Sequence, residues 1–205
     1  MAISAHSGHV AVGYNDGHFT VRRSLLEIDV VLHTGQNSKE WIEVMRYSPD
    51  GKWLAIGSHD NTIYIYRTDN YRFVSRNSRH HSYIIAIDWS LDSKSLKTTS
   101  GDYELLFWTL DPTGEIHHAP DGSSVNKNEQ WHTYSTHFGW HVQGIYRGIT
   151  DYTHVNRVDR SLDGMFFAVG NDWGLVELFN NPNDETSSFK GFRGHSEHVT
   201  NVKWG

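Results

Sequence analysis

Three residues have the side-chain types that nucleophilic catalysis uses: the Thr98 hydroxyl, the His80 imidazole and the Asp102 carboxylate. In a hydrolase such a set moves a proton from the hydroxyl to the imidazole, which the carboxylate orients. No Gly-x-Ser-x-Gly nucleophile elbow occurs in the chain, and the repeat described below accounts for the spacing of the three residues. The sequence therefore predicts a protein that is not an enzyme.

Histidine is frequent, with 15 residues among 205, and imidazole is a common ligand of metal ions. None of the histidine pairs has a recognised metal-binding spacing such as His-Glu-x-x-His. On one strand face, His137 and His141 would lie about 13 Å apart. We interpret the histidines as turn and surface residues, and we expect no metal ion and no other cofactor. The neighbouring pairs are His80-His81, His117-His118, His137 with His141, and His195 with His198.

Composition excludes several classes of protein and partner. The chain has no cysteine, which rules out a disulfide scaffold, a cysteine zinc finger and a thiol nucleophile. The formal net charge of −6 argues against a nucleic-acid partner. No apolar run approaches the roughly 18 residues of a membrane helix, so we expect no membrane partner. No glycine-rich phosphate loop occurs, and we expect no small-molecule substrate.

A repeat must position the polar side chains. Each copy is a short apolar strand, a tight turn and an alternating strand, and an Asp/Gly-type turn precedes most copies. Asp16, Asp60 and Asp102 follow one another at intervals of 44 and 42 residues. A period of about 40–45 residues with four strands is typical of a WD40-type β-propeller blade. The copies are Ala11–Gly17, Ala55–Asn61, Lys97–Tyr103 and Ala168–Gly174.

The predicted fold is an all-β segment of a propeller with about four four-stranded antiparallel blades. An insertion separates the third and fourth units; its first part indicates an exposed loop, and its aromatic part, residues 131–146, indicates one or two extra strands. Seven blades would need about 300 residues, so we expect a segment of a longer protein. The predicted units are 1–32, 33–78, 79–110 and 152–190, with the insertion at 111–151 and the start of a fifth blade at 191–205.

The third unit resembles the WD40 blades that contain a structural tetrad. The resemblance implies that His80 bonds to the turn residue Asp102, and that the Thr98 hydroxyl and the Trp108 indole complete the network. Other units depart from this pattern. Ile56 and Tyr66 replace the hydroxyl residue and the tryptophan in the second unit, and Trp173 and Phe179 replace the aspartate and the tryptophan in the fourth.

Longer strings resemble the second propeller of the echinoderm microtubule-associated protein-like (EMAP-like) family, over nearly the whole chain. They are Val44–Ser48, Gly57–Asn61, Ile63–Tyr66, Ser100–Glu104 with Trp108, Trp131–Tyr146 and His198–Val202. The resemblance implies a non-catalytic cytoskeletal scaffold in the cytoplasm, with tubulin or microtubules as partner. An axonemal (ciliary or flagellar) or spindle location, with other proteins of those assemblies as partners, is also implied. The family's usual Trp-Pro and Ser-Asp-Gly-Thr-Asp-Ile-Asn strings are replaced in residues 146–156.

A basic stretch offers a physical route to such a partner. Arg67, Arg72, Arg76 and Arg79 lie in a segment that has one acidic residue, Asp69. In an otherwise acidic chain these arginines are candidates for contact with the acidic surface of tubulin. The alternatives are an ordinary solvated strand, and a generic WD40 adaptor that binds a peptide or protein with no microtubule role.

Overall fold

The computed structural model describes residues 1–4, 6–25, 28–146, 155–184 and 186–204, which divide into two compact units, Met1–His132 and Thr133–Gly205. The described chain is mainly β-strand, arranged in four four-stranded antiparallel sheets. The predicted all-β propeller segment is therefore confirmed. The predicted boundary between the insertion and the fourth unit, at residues 151–152, lies outside the described residues.

Three of the sheets belong to the first unit. Each is a meander in which consecutive strands pair antiparallel. The first contains β1 (Ala2–Ile3), β2 (His9–Gly13), β3 (His18–Leu25) and β4 (Ile28–Gln36). The second contains β5 (Ile42–Tyr47), β6 (Trp53–Ser58), β7 (Ile63–Arg67) and β8 (Phe73–Asn77). The third contains β9 (Ile84–Trp89), β10 (Ser95–Ser100), β11 (Leu105–Leu110) and β12 (Ile116–His118), and helix α1 (Gly122–Val125) follows it.

The second sheet is buried on both faces, which explains its nearly continuous apolar sequence. Along β7, Ile63 and Ile65 belong to a cluster shared with the third sheet. Tyr64 and Tyr66 point the other way, into a cluster shared with the first sheet. Because strand side chains alternate between faces, such a strand must be apolar at every position if both faces are covered. This face-to-face packing fixes the position of the third sheet, which carries the polar network.

The turn between the first and second strands has the same hydrogen bonds in three of the sheets. Ser48 Oγ donates to Asp50 Oδ1 at 2.6 Å and accepts the Trp53 N–H at 3.0 Å. The same pair of bonds recurs in the third and fourth sheets, around Ser90 and Ser161. The Ser161 hydroxyl and a backbone N–H hold the pKa of Asp163 below its ordinary value. The repeat seen in the sequence is thus a repeat of atomic contacts.

Two glycines in the first sheet give a matched test of backbone geometry. Gly8 and Gly17 both have positive φ, +66° and +82°. A Cβ added at Gly8 would meet nothing within 4 Å, whereas one at Gly17 would lie 2.4 Å from the Ser38 carbonyl oxygen. We expect Gly8→Ala to lower the free energy of unfolding by about 1 kcal/mol, and Gly17→Ala by about 2–3 kcal/mol because the backbone must also move. Urea titration measures both, and equal costs would contradict the close approach at Gly17.

The second unit contains the fourth sheet, with strands β13 (Val155–Arg160), β14 (Phe166–Asn171), β15 (Leu175–Asn180) and β16 (Phe189–Arg193). No helix of the described residues is long and apolar enough to cross a membrane. The sequence predicted the start of a further blade at 191–205, but residues 191–193 belong to β16 and residues 194–204 are described without a strand. The Val199 N–H donates to the Asn171 carbonyl oxygen at 2.9 Å, which holds this segment at the end of β14.

The segment that the sequence presents as an insertion is organised differently from the expectation. Its beginning, Ile116–His118, is the outer strand of the third sheet, which therefore continues past residue 110. The expectation of extra strands in residues 131–146 was wrong. Trp131 makes one isolated bridge to Ser90, and Trp140–Tyr146 is a 3-10 helix. Gly139, at φ 127°, precedes the helix in a conformation that only glycine adopts easily.

Candidate functional site

The third sheet holds a buried polar network of three side chains. His80 lies in the loop between β8 and β9, Thr98 in the middle of β10, and Trp108 on β11. His80 Nε2 lies 2.7 Å from Thr98 Oγ1, and the Trp108 indole N–H donates to the same oxygen at 2.8 Å. All three residues are buried. The structure brings together these three of the four predicted tetrad residues, with the threonine hydroxyl as their shared partner.

Asp102 is placed differently from the prediction. Its carboxylate accepts hydrogen bonds from the Ser100 hydroxyl and from the Glu104 N–H at 3.2 Å, both at the β10–β11 turn, and from the His81 N–H at 3.0 Å in the loop before β9. The expected hydrogen bond from the His80 ring to Asp102 is not among the contacts of the described residues. The carboxylate instead holds the backbone of the turn, where Tyr103 has φ 65°. Its role as the histidine's direct partner is thus corrected.

Glu104 is the acidic residue that the sequence reasoning missed. Its Oε2 lies 3.5 Å from His80 Nδ1, and its Oε1 lies 3.1 Å from His81 Nδ1. Burial lowers the pKa of His80, although the nearby Asp102 and Glu104 charges act in the opposite direction. Burial alone would raise the pKa of Asp102, but its hydrogen bonds from Ser100 and the turn backbone lower it overall. Burial thus favours the neutral form of the His80 imidazole, and hydrogen bonds favour the ionised form of the Asp102 carboxylate.

The other sheets replace this network in different ways. In the second sheet, Tyr64 and Tyr66 donate from their hydroxyls at 2.5 Å to Asp60 Oδ2 and Asn37 Oδ1. In the fourth, Asp172 rather than the neighbouring exposed Trp173 has a histidine partner, because its Oδ1 lies 2.9 Å from His198 Nδ1. Comparison of the repeats places Trp173 at the aspartate position, but the residue that contacts the histidine is Asp172, one position earlier.

The four candidate arginines lie along the outer edge of the second sheet. Arg76 is on β8, Arg67 ends β7, and Arg72 and Arg79 lie in the loops on either side of β8. All four are exposed. The Arg67 guanidinium forms two hydrogen bonds to Asp69, at 2.9 and 3.2 Å, so its charge is neutralised locally. An extended strand rises about 3.3 Å per residue, so Arg72 and Arg79 are separated by up to about 23 Å.

Comparison with known proteins identifies the family. The model of the echinoderm microtubule-associated protein second β-propeller matches residues 1–205, which is the whole chain. The chain belongs to this family. The four sheets described above are its blades, and the EMAP-like resemblance inferred from the sequence is confirmed.

Several curated proteins are similar to this member of the EMAP second-propeller family. The ciliary WD repeat-containing protein ctxp80 of Euplotoides octocarinatus is 43% identical over 94% of the chain and 26% of its own length. The 77 kDa echinoderm microtubule-associated protein of Lytechinus variegatus is 39% identical over 94% of the chain and 29% of its own length. Echinoderm microtubule-associated protein-like 1 of Mus musculus is 40% identical over 94% and 24%. The chain thus spans 24–29% of the length of these relatives.

Solved structures support the fold of this family member. A chain in the crystal structure of the mitotic checkpoint complex has a TM-score of 0.55 with it and 14% sequence identity. The similarity covers 97% of the present chain and 52% of the other. At this level of identity the similarity concerns the fold alone.

Proposed function

We propose that this chain is a non-catalytic scaffold region of a microtubule-associated protein and that it binds tubulin. The observation that carries the proposal is membership of the second-propeller family over the whole chain, with relatives whose names describe them as microtubule-associated. The name of the ciliary relative supports a cytoskeletal location that includes the cilium or flagellum. Other axonemal or spindle proteins are further partners under this proposal.

The buried network supports the non-catalytic part of the proposal. Thr98 has the hydroxyl that a nucleophilic mechanism would need, but its side chain is fully buried. The same oxygen is engaged by both His80 and Trp108. A nucleophile must reach a substrate carbonyl, which a hydroxyl between two packed side chains cannot do. The shared hydroxyl satisfies His80 Nε2 and the Trp108 indole N–H, and these contacts stabilise the blade.

The tubulin-binding part rests on a basic strip, which we define as Arg72, Arg76 and Arg79. No ion pair engages these three guanidinium groups within the described part of the chain, unlike Arg67, which Asp69 neutralises. Exposed cations attract an acidic partner over roughly a Debye length, about 8 Å at physiological salt. The strip therefore presents an extended row of charge that complements an acidic surface.

The triple variant Arg72→Ser/Arg76→Ser/Arg79→Ser tests the strip in a microtubule co-pelleting titration. We expect the dissociation constant to rise about five- to thirty-fold, since three exposed charges at a binding surface contribute about 1–2 kcal/mol together. The difference should shrink as salt increases, because screening weakens the wild-type interaction.

A charge-matched control separates the strip from net charge. The variant Arg23→Ser/Lys39→Ser/Lys52→Ser also removes three exposed cations from the first unit, and we expect it to bind nearly as the wild type does. Equal weakening by both triple variants would show that total charge rather than the strip matters. Unchanged binding by the first variant would refute the strip, and absence of wild-type pelleting would favour the generic adaptor.

A further inference from the structure

A cluster of potential metal ligands lies at the end of the third sheet, beside the His80 network. One ligand atom from each of His80, Asp102 and Glu104 lies within 4.8 Å of the others. His80 comes from the loop before β9, and the two carboxylates come from the turn between β10 and β11. The cluster therefore joins two segments that are distant in sequence.

The polar atoms at the centre of the cluster lack hydrogen-bond partners. The His80 side chain is 0% exposed, and its Nδ1 makes no hydrogen bond. Glu104 Oε2 is also buried without a hydrogen bond, and the two atoms face each other at 3.5 Å. Leaving a buried polar atom unpaired costs about 1–3 kcal/mol. A ligand that engages both atoms would remove this cost.

The chemistry of the cluster fits a divalent cation. When His80 Nε2–H donates to Thr98 Oγ1, the ring presents the Nδ1 lone pair to the two carboxylates. Metal-bound histidines commonly have such an outer partner, which fixes the tautomer and the ring orientation. One imidazole nitrogen and two carboxylate oxygens therefore face one another at the end of the sheet. A mixed set of imidazole and carboxylate ligands suits Zn²⁺.

The distances also suit zinc. Bonds of about 2.0–2.2 Å in tetrahedral geometry place ligand atoms about 3.3–3.6 Å apart. The distance from His80 Nδ1 to Glu104 Oε2 already has this value. The Glu104 side chain is one-third exposed, so its carboxylate can adjust. His81 Nδ1, 3.9 Å from Asp102 Oδ2, lies at the solvent-facing rim, where a fourth ligand or water would bind.

The geometry points to a zinc-binding site formed by His80 Nδ1 and the Asp102 and Glu104 carboxylates. A bound ion ties the loop before β9 to the β10–β11 turn and thereby fixes one end of the third blade. The tubulin contact proposed for the basic strip does not require this site. A failure of zinc binding would therefore not refute tubulin binding, and a failure of tubulin binding would not refute the zinc site.

Titration of the chelator-treated chain with Zn²⁺ tests the site by calorimetry. We expect one equivalent of Zn²⁺ to bind, and Glu104→Gln and Asp102→Asn each to weaken that binding at least ten-fold. These isosteric changes remove a ligand charge but keep the volume, and circular dichroism checks that each variant folds. Co²⁺ provides a second readout, because a tetrahedral site gives an intense visible absorption that surface histidines do not.

Glu43→Gln is the matched control. Glu43 Oε2 lies 3.3 Å from His59 Nε2, and its exposure, 28%, is close to that of Glu104, but among the described residues the pair does not belong to a cluster of three potential ligands. We expect this variant to bind Zn²⁺ as the wild type does. Equal effects of Glu104→Gln and Glu43→Gln would overturn the proposal, as would the absence of one-equivalent binding in the wild type. The pair would then be a plain imidazole–carboxylate contact.

Discussion

Replacing Asp88 with alanine is expected to lower the free energy of unfolding by about 3–5 kcal/mol. Asp88 on β9 is fully buried, and its Oδ2 lies 3.7 Å from the Nζ of Lys97 on β10, which is also buried. The two residues are cross-strand partners in the sheet. Removing the carboxylate takes the ion-pair partner from an ammonium group that lies in the core, and the cost of a buried charge makes the loss large.

Trp131 moderates this penalty without removing it. The Lys97 ammonium lies 4.7 Å from the centre of the Trp131 ring, a geometry that permits a cation–π interaction. Such contacts contribute about 0.5–2 kcal/mol, less than the cost of an uncompensated buried charge. The aromatic segment after the third blade therefore covers the ion pair, which gives Trp131 a structural role in the first unit.

Urea unfolding followed by tryptophan fluorescence measures the effect. The double variant Asp88→Leu/Lys97→Met removes both charges together and is expected to recover most of the loss, since paired buried charges gain little over apolar side chains. The exposed neighbour Lys94, 3.9 Å from Asp92, supplies the control. Lys94→Met should cost less than about 1 kcal/mol. A similarly small effect for Asp88→Ala would show that the pair is hydrated.

Replacing Trp108 with alanine is the second change with a large expected effect, again about 3–5 kcal/mol. The Trp108 side chain is fully buried and belongs to the cluster between the second and third sheets. Its removal creates a cavity that the other members of the cluster cannot fill without moving the sheets. It also removes the indole donor from Thr98 Oγ1.

Two further variants separate packing from hydrogen bonding. Trp108→Phe keeps an aromatic ring but loses the N–H, and we expect a smaller cost of about 1–3 kcal/mol. Trp41→Ala is the control, because the Trp41 side chain is largely exposed, and it should cost less than about 1 kcal/mol. Chemical denaturation ranks the three variants. A cost for Trp108→Ala no greater than that of Trp41→Ala would contradict a packed core at this position.

The polar network of the third sheet and the Asp88–Lys97 ion pair differ in how far the sequence predicts them. His80, Thr98 and Trp108 could be predicted because the third unit resembles WD40 blades that have these residue types at the corresponding places, and the contacts found agree. Glu104 could not, because it follows the turn aspartate by only two residues and no pattern says which carboxylate faces the ring. Similarly, nothing in the sequence distinguishes Lys97 and Asp88 from exposed polar residues. Their burial could not be predicted, because it depends on how the sheets pack.

The sequence alone determined the repeat, the strand order within each blade and the family. These follow from local rules: side chains alternate along strands, and Asp, Gly and Ser close the turns at a constant period. Only the tertiary structure decided which atoms meet. It turned Asp102 toward the turn backbone, Glu104 toward His80, and residues 140–146 into a 3-10 helix. The physical reason is that a hydrogen bond forms or fails on differences of a few tenths of an ångström in the distance between two atoms. Periodicity in the sequence does not specify such distances between segments that are far apart along the chain.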